Sequence, residues 1–197
     1  MKTGLFGGAF NPIHLGHLQL AGAFAESLSL DRIIFIPTAI PPHKTARYLA
    51  PAQDRLKMLS LVTAENPRYE VTDMEFRREG KSYSYDTICE LKECYPEDTF
   101  YLLIGSDQFF YFPKWYKAEE ILRLVTVCTA AREDGEYQRL LAFRAQYDYM
   151  KDTVVENFNV FPVSSSEIRD RVKNGRSLCG LVPTAVENYI KENKLYV

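Results

Sequence analysis

A chain of 197 residues, 46% hydrophobic and 25% charged, has the profile of a soluble globular protein with length for one sizeable core. Its 24 basic and 26 acidic residues leave a formal net charge of −2, which argues against a general nucleic-acid binder held by a basic excess. No apolar run approaches the ~18 residues of a membrane span, and Asn11, Pro12 and His14 interrupt any signal-peptide core near the start.

Residues 3–6 form a short apolar run and predict a first strand. The stretch Gly7-Gly8-Ala9-Phe10-Asn11-Pro12-Ile13-His14-Leu15-Gly16-His17 follows it, and residues 18–28 then carry an amphipathic helical pattern. Residues 32–36 predict a second strand, which Pro37 stops, so the chain starts with one βαβ unit whose crossover should be right-handed. The proline-rich residues 38–51 read as a loop, and 52–64 as a helix ended by Asn66-Pro67. A third strand is expected over 69–74 and a helix over 84–95. Residues 99–104 give the strongest strand signal in the chain. Beyond them the pattern predicts a helix over 116–124, a strand over 125–130, a polar helical stretch over 132–152 and a last strand over 159–163. Helices over 164–173 and 183–193 close the chain. The alternation implies an α/β fold with a doubly wound parallel sheet, without a linker or repeat. Cys89, Cys94, Cys128 and Cys179 form neither a Cys-x-x-Cys pair nor a zinc-spaced cluster, so reduced thiols in a cytoplasmic protein are expected, and no metal site.

The turn after the first strand carries the chemistry. In a parallel sheet it lies at the carboxyl end of a strand, where ligands bind. Gly7 and Gly8 let the backbone approach a ligand closely, and the helix start beyond Ala9 and Phe10 offers free N–H groups to a phosphate. His14 and His17, three residues apart on one helical face, can donate together to a phosphate chain. A second helix start, Val163-Ser164-Ser165-Ser166-Glu167-Ile168-Arg169, contains a capping box in Ser164 and Glu167. Ser165, Ser166 and the forked guanidinium of Arg169 add a polyphosphate clamp to it. Gly105 and Asp107 follow a buried strand, where Asp107 can accept from ribose hydroxyls. Trp115 can stack on a planar heterocycle, with backbone N–H groups near Tyr116 to meet a carboxylate. Lys44 offers a cation on a stiff loop, and Ser84 a hydroxyl at a helix start. Gly80-Lys81-Ser82 only imitates a P-loop, because Glu75 stands where its first glycine belongs.

Gly-Gly-x-Phe-x-Pro-x-His-x-Gly-His resembles the signature of the His-x-Gly-His nucleotidyltransferases. The resemblance extends over nearly the whole chain, because Pro41-Pro42-His43-Lys44, Gly105-Ser106-Asp107, Trp115-Tyr116 and Ser164-Ser165-Ser166-Glu167-Ile168-Arg169 follow in the family's order. Pro-Pro-His-Lys and Pro-Lys-Trp-Tyr make it most similar to the bacterial nicotinate mononucleotide adenylyltransferases. Ala9, Asn11, Val163, Ser166 and Ser84 depart from the usual hydroxyl residue, Asp, Ile, Thr and Thr. The resemblance implies a single Rossmann-like nucleotidyltransferase domain over 1–197 that transfers AMP from ATP to nicotinate mononucleotide. Deamido-NAD and pyrophosphate would be the products. It implies catalytic roles for His14, His17 and Arg169. Gly7, Gly8, Ala9, Phe10, Gly105, Asp107, Ser165 and Ser166 would complete the ATP site, and Lys44, Ser84, Trp115 and Tyr116 would bind the acceptor. Mg²⁺ would be carried with ATP; a homodimer is compatible with this, and neither nucleic acid nor a membrane is required. The rival readings are a dinucleotide sensor without turnover and an adenylyltransferase with another acceptor.

Overall fold

The computed structural model describes residues 1–40, 49–158 and 161–197. Its strands are β1 (Lys2–Gly8), β2 (Arg32–Pro37), β3 (Tyr69–Val71), β4 (Thr99–Gly105), β5 (Thr126–Ala131) and β6 (Val154–Asn157). They form one six-stranded sheet in the order β3-β2-β1-β4-β5-β6, and every neighbouring pair is parallel. The helices are α1 (Leu15–Ser27), α2 (Ala52–Thr63), α3 (Ser84–Cys94), α4 (Ser106–Tyr111), α5 (Ala118–Leu124), α6 (Glu136–Arg144), α7 (Ser165–Lys173) and α8 (Thr184–Glu192).

The strands are apolar on both faces because helices cover both. Alternate residues point to opposite sides, so one sheet makes two cores. Phe6, Ile33, Phe35, Leu103 and Cys128 pack with α1, α2, α7 and α8. Leu5, Ile34, Ile36, Leu102, Ile104 and Val127 pack with α3, α4, α5 and α6. Gly4 sits where a Cβ would come within 2.9 Å of Leu30 Cδ1, so the first core closes tightly over β1.

The structure shifts several expected boundaries. The last strand is Val154–Asn157, not 159–163, because Val154 and Val155 have partners in Cys128 and Thr129 of β5. Residues 159 and 160 lie outside the described residues. Phe161 and Val163 instead cross α1, where the Phe161 N–H donates to Gln19 Oε1 at 2.8 Å. The helix expected over 132–152 is confined to α6, since the chain must turn to enter β6. A 3₁₀ turn at Asp148–Met150 makes that turn, and the Thr153 hydroxyl donates back to the Met150 carbonyl. The strand expected over 69–74 ends at Val71 and gives way to a 3₁₀ turn at Met74–Arg77. The helix expected over 116–124 begins at Ala118, because Lys117 takes a left-handed conformation with φ 53°. α1 starts three residues earlier than its periodicity suggests, because His14 caps it.

The strand order sets the site. The chain runs outward from β1 to β3, then returns to place β4 on the other side of β1. Connections on either side of β1 leave in opposite directions, which opens a crevice at the carboxyl ends of β1 and β4.

Candidate active site

A cleft of about 660 Å³ occupies that crevice. Its walls include Gly7, Gly8, Ala9, His14 and His17 from the β1–α1 turn, and Gly105 and Asp107 after β4. Ser84, Trp115, Tyr116 and Ser165 also line it. The fold thus brings together eleven positions singled out from sequence, drawn from stretches up to 158 residues apart.

His14 is the N-cap of α1, with extended backbone, and not a residue of its first turn as expected. Its Nδ1 accepts from the His17 N–H at 3.3 Å, which places the proton of a neutral His14 on Nε2. The two imidazoles stack at 3.6 Å with 25° between their planes. His17 rests edge-on against Phe10 and Phe6, at 5.1 and 6.0 Å, and its buried Nδ1 has no hydrogen-bond partner. Burial lowers the His14 pKa to about 3, helped by the positive field of Arg132. Burial also holds His17 well below the usual imidazole value, with His14 and Arg132 adding to the effect. Both rings are therefore neutral N–H donors at neutral pH.

Gly16, between the two histidines, has a packing reason. A Cβ there would stand 2.9 Å from Val163 Cγ1 and 3.1 Å from the Phe161 carbonyl. The glycine lets the chain entering α7 pass directly over α1. That close approach brings the open end of α7 to the β1–α1 turn. The Ser165 hydroxyl then donates to the Pro12 carbonyl at 2.9 Å. Ser164 caps α7 by accepting from the Glu167 N–H at 3.1 Å. Only half of the expected capping box forms, because Arg171 takes the Glu167 carboxylate at 2.9 Å.

Three of the expected ATP contacts do not line the cleft. Phe10 is buried beneath it, 2% exposed, with its ring 3.2 Å from where a Gly8 Cβ would be. Arg169 donates to the Asn11 carbonyl at 2.8 Å and to Ser166 Oγ at 3.0 Å, so both groups brace the turn from outside. Lys44 lies outside the described residues.

Sequence reasoning missed other lining residues. Arg132, directly after β5, runs across the Cα of Gly105: a Cβ there would stand 2.5 Å from its guanidinium nitrogen. Its signal was available, since it is a cation at the carboxyl end of a strand. Thr38 joins the turn through its N–H, which donates to the Gly8 carbonyl at 2.8 Å. Glu75 lines the same cleft and is only 7% exposed. One carboxylate oxygen accepts from the Thr87 hydroxyl at 2.8 Å, the other has no partner, and burial pushes its pKa up. Its position in a short 3₁₀ turn left no motif to find. Trp115 is partly buried against Phe112, with ring centroids 5.4 Å apart, and its indole N–H has no partner. Tyr116 is 46% exposed and packs on Tyr83 at 4.8 Å.

Among the described residues, no group of three or more His, Cys, Asp or Glu could hold a metal ion. Nor, among the described residues, is any helix long and apolar enough to cross a membrane. All four cysteines are free, and Cys128 is buried.

Known proteins give this geometry its context. A family model described as cytidylyltransferase-like matches residues 5–171. A probable nicotinate-nucleotide adenylyltransferase of Geobacter sulfurreducens is 42% identical over 212 residues, spanning 100% of this chain and 98% of that protein. One of Geobacillus thermodenitrificans is 40% identical over 195 residues, spanning 99% of this chain and 86% of that protein. A Plasmodium falciparum nicotinic acid mononucleotide adenylyltransferase complexed with NaAD superposes with a TM-score of 0.81. It is 18% identical and spans 100% of this chain and 98% of its own. The structural likeness speaks to the fold, and the sequence identity to descent: the chain belongs to the cytidylyltransferase-like family, among the nicotinate-nucleotide adenylyltransferases.

Proposed function

We propose that this chain, as one nucleotidyltransferase domain, transfers AMP from ATP to nicotinate mononucleotide and releases deamido-NAD and pyrophosphate. The observation that carries this reading is the cleft at the sheet's switch point, lined by both histidines of the β1–α1 turn and by the N-terminal end of α7. An oxygen of the acceptor's 5′-phosphate attacks the α-phosphorus of ATP, and the bond to the bridging oxygen of pyrophosphate breaks. The substrate supplies the nucleophile, so the protein's task is positioning and charge stabilisation. His14 and His17 donate to the α- and β-phosphate region from a site shielded from water. An arriving triphosphate also counters the field of Arg132, which makes proton uptake by the imidazoles easier as charge develops. Gly7, Gly8 and Ala9 lie along the nucleotide, with Gly105 and Asp107 at the ribose. Ser165, Ser166 and Arg169 form the end that holds the leaving pyrophosphate. Mg²⁺ enters with ATP as part of the substrate. Pyrophosphate release in the presence of ATP and nicotinate mononucleotide tests the assignment; binding of both without release would make the protein a sensor instead.

Arg169 contributes a planar fork that spans the Asn11 carbonyl and Ser166. A lysine at this position places one point charge and cannot make both bonds. Arg169→Lys should therefore raise the KM for ATP about tenfold and leave the KM for the mononucleotide near its original value. Steady-state kinetics with each substrate varied in turn would decide, and equal changes in both would remove Arg169 from the phosphate side.

The acceptor end should distinguish acid from amide. Trp115 supplies a stacking face, and its unpartnered indole N–H is a donor, like the backbone N–H groups around Tyr116 and the Ser84 hydroxyl. The segment between Asp107 and Glu119 contains no carboxylate, but the fold adds Glu75 to the same cleft. Burial pushes the pKa of that group up, while the Thr87 hydroxyl and Arg78 favour its charged form. A ring carboxylate satisfies these donors, whereas an amide turns its own N–H groups toward them. A mispaired buried donor costs about 1–3 kcal/mol, and charge-assisted bonds widen the gap. The expected preference for nicotinate over nicotinamide mononucleotide is at least ~100-fold in kcat/KM. Equal use of the two would discard the acid-specific reading while leaving adenylyl transfer standing.

A further inference from the structure

The segment after α8 reaches back to the turn at the cleft. Leu195 and Tyr196 pack against the core that contains α1, α2, α7 and α8. The Tyr196 hydroxyl donates to Asn11 Oδ1 at 2.9 Å, across 185 positions of sequence. Asn11 Oδ1 also accepts from the Ala50 N–H at 3.0 Å, so two donors orient one side-chain oxygen. The Asn11 carbonyl accepts from Arg169, and the next carbonyl, of Pro12, accepts from Ser165. Asn11 is 5% exposed and therefore held on every side. On the N-terminal side of this junction stand Gly7, Gly8 and Ala9; three residues beyond it stands His14. Whatever fixes Asn11 fixes the angle between the glycine turn and the histidine helix.

We infer that Tyr196 is a positioning residue for adenylyl transfer, acting through Asn11 to hold the β1–α1 turn in its ATP-binding geometry. The inference rests on the assignment of the cleft to ATP. It differs from a purely structural role, because a hydroxyl that only stabilised the fold would move melting temperature and leave substrate affinities alone. A nearby hydrogen bond supplies the comparison. The Tyr189 hydroxyl donates to Asp54 Oδ1 at 2.8 Å, tying α8 to α2.

The test compares Tyr196→Phe and Tyr189→Phe with the unmodified protein, measuring melting temperature and the KM for each substrate by pyrophosphate release. Loss of the Tyr196 hydroxyl should raise the KM for ATP about fivefold to tenfold with little change in the KM for the mononucleotide. Tyr189→Phe should lower the melting temperature by a similar amount and leave the KM for ATP unchanged. Asn11→Ala and the double variant Asn11→Ala/Tyr196→Phe should have the same KM for ATP, because the hydroxyl acts through that side chain. An unchanged KM for ATP in folded Tyr196→Phe overturns the inference, as do parallel changes in both KM values. Additive effects in the double variant overturn the route through Asn11. If the unmodified protein releases no pyrophosphate from ATP and mononucleotide, the assignment of the cleft itself falls and takes this inference with it.

Discussion

His17→Ala should lower turnover about a hundredfold to a thousandfold in a protein that still folds, the typical effect of removing one fixed donor to developing charge. The site explains why the loss should be large. His17 lies in the cleft on an aromatic floor of Phe6 and Phe10, stacked on His14, with little water to replace it. The same variant should change acid stability. Both histidines have folded-state pKa values below the usual 6.5. Below that value the unfolded chain takes up protons that the native rings refuse. Their contribution to stability is thus intact above pH 6.5 and is lost as pH falls, by up to about 1.4 kcal/mol per pH unit for each ring. Removing His17 should flatten the acid limb of a melting-temperature profile. Near-normal turnover in a folded variant would exclude this histidine from the mechanism.

Arg55→Met should destabilise the protein by about 3–5 kcal/mol, because three buried carbonyls lose their donor at roughly 1–3 kcal/mol each. Arg55 is 1% exposed, and its guanidinium serves backbone carbonyls that belong to three different segments. It donates to Ala9 at 2.9 Å, to Thr38 at 2.7 Å and to Ala50 at 3.1 Å. The Phe76 ring lies 5.3 Å from its central carbon. Methionine fills much of the volume but leaves these acceptors without their donor. The guanidinium is therefore the fastener of the β1–α1 turn, the end of β2 and the start of α2. A fall in melting temperature of roughly 10 °C is expected for a chain of this size. A fall of only a degree or two would mean that water reaches the three carbonyls, and that the turn does not depend on this side chain.

Arg55 also shows what a linear reading cannot see. It lies in an ordinary helical pattern, and two of its three partners, Ala9 and Thr38, come from elsewhere in the chain. Glu75 and Thr38 entered the cleft the same way, as unremarkable residues delivered by the fold. Conversely, Arg169 was read as a direct phosphate clamp from its position near a helix start. The fold also turns its fork onto the Asn11 carbonyl, because α7 packs against the β1–α1 turn, a contact that no local pattern shows. Phe10, two residues past the glycines, is expected beside the nucleotide; the fold adds that its ring forms the hydrophobic floor under His17.

Continuous apolar runs such as residues 99–104 and helical spacing such as residues 52–64 determined the elements, because burial of a strand on both faces or of a helix on one imposes local patterns. The glycines, the paired histidines and the Ser-Ser-Ser helix start likewise carry the reading of phosphate chemistry on which the proposed function rests, since each lies within a single turn of backbone. The weak boundaries were those where tertiary pairing overrode local preference: β6 formed where β5 offered a register, and not where periodicity placed it. The convergence of these pieces was decided by the tertiary structure alone. Placing β4 beside β1 is a long-range choice made by the packing of two cores. Gly16 makes sense only once Val163 lies 2.9 Å from its absent Cβ. Local sequence carries the donors and their spacing. Which carbonyls they satisfy, which rings lose water and which cations share a field depend on contacts between distant segments, and those exist only in the folded chain.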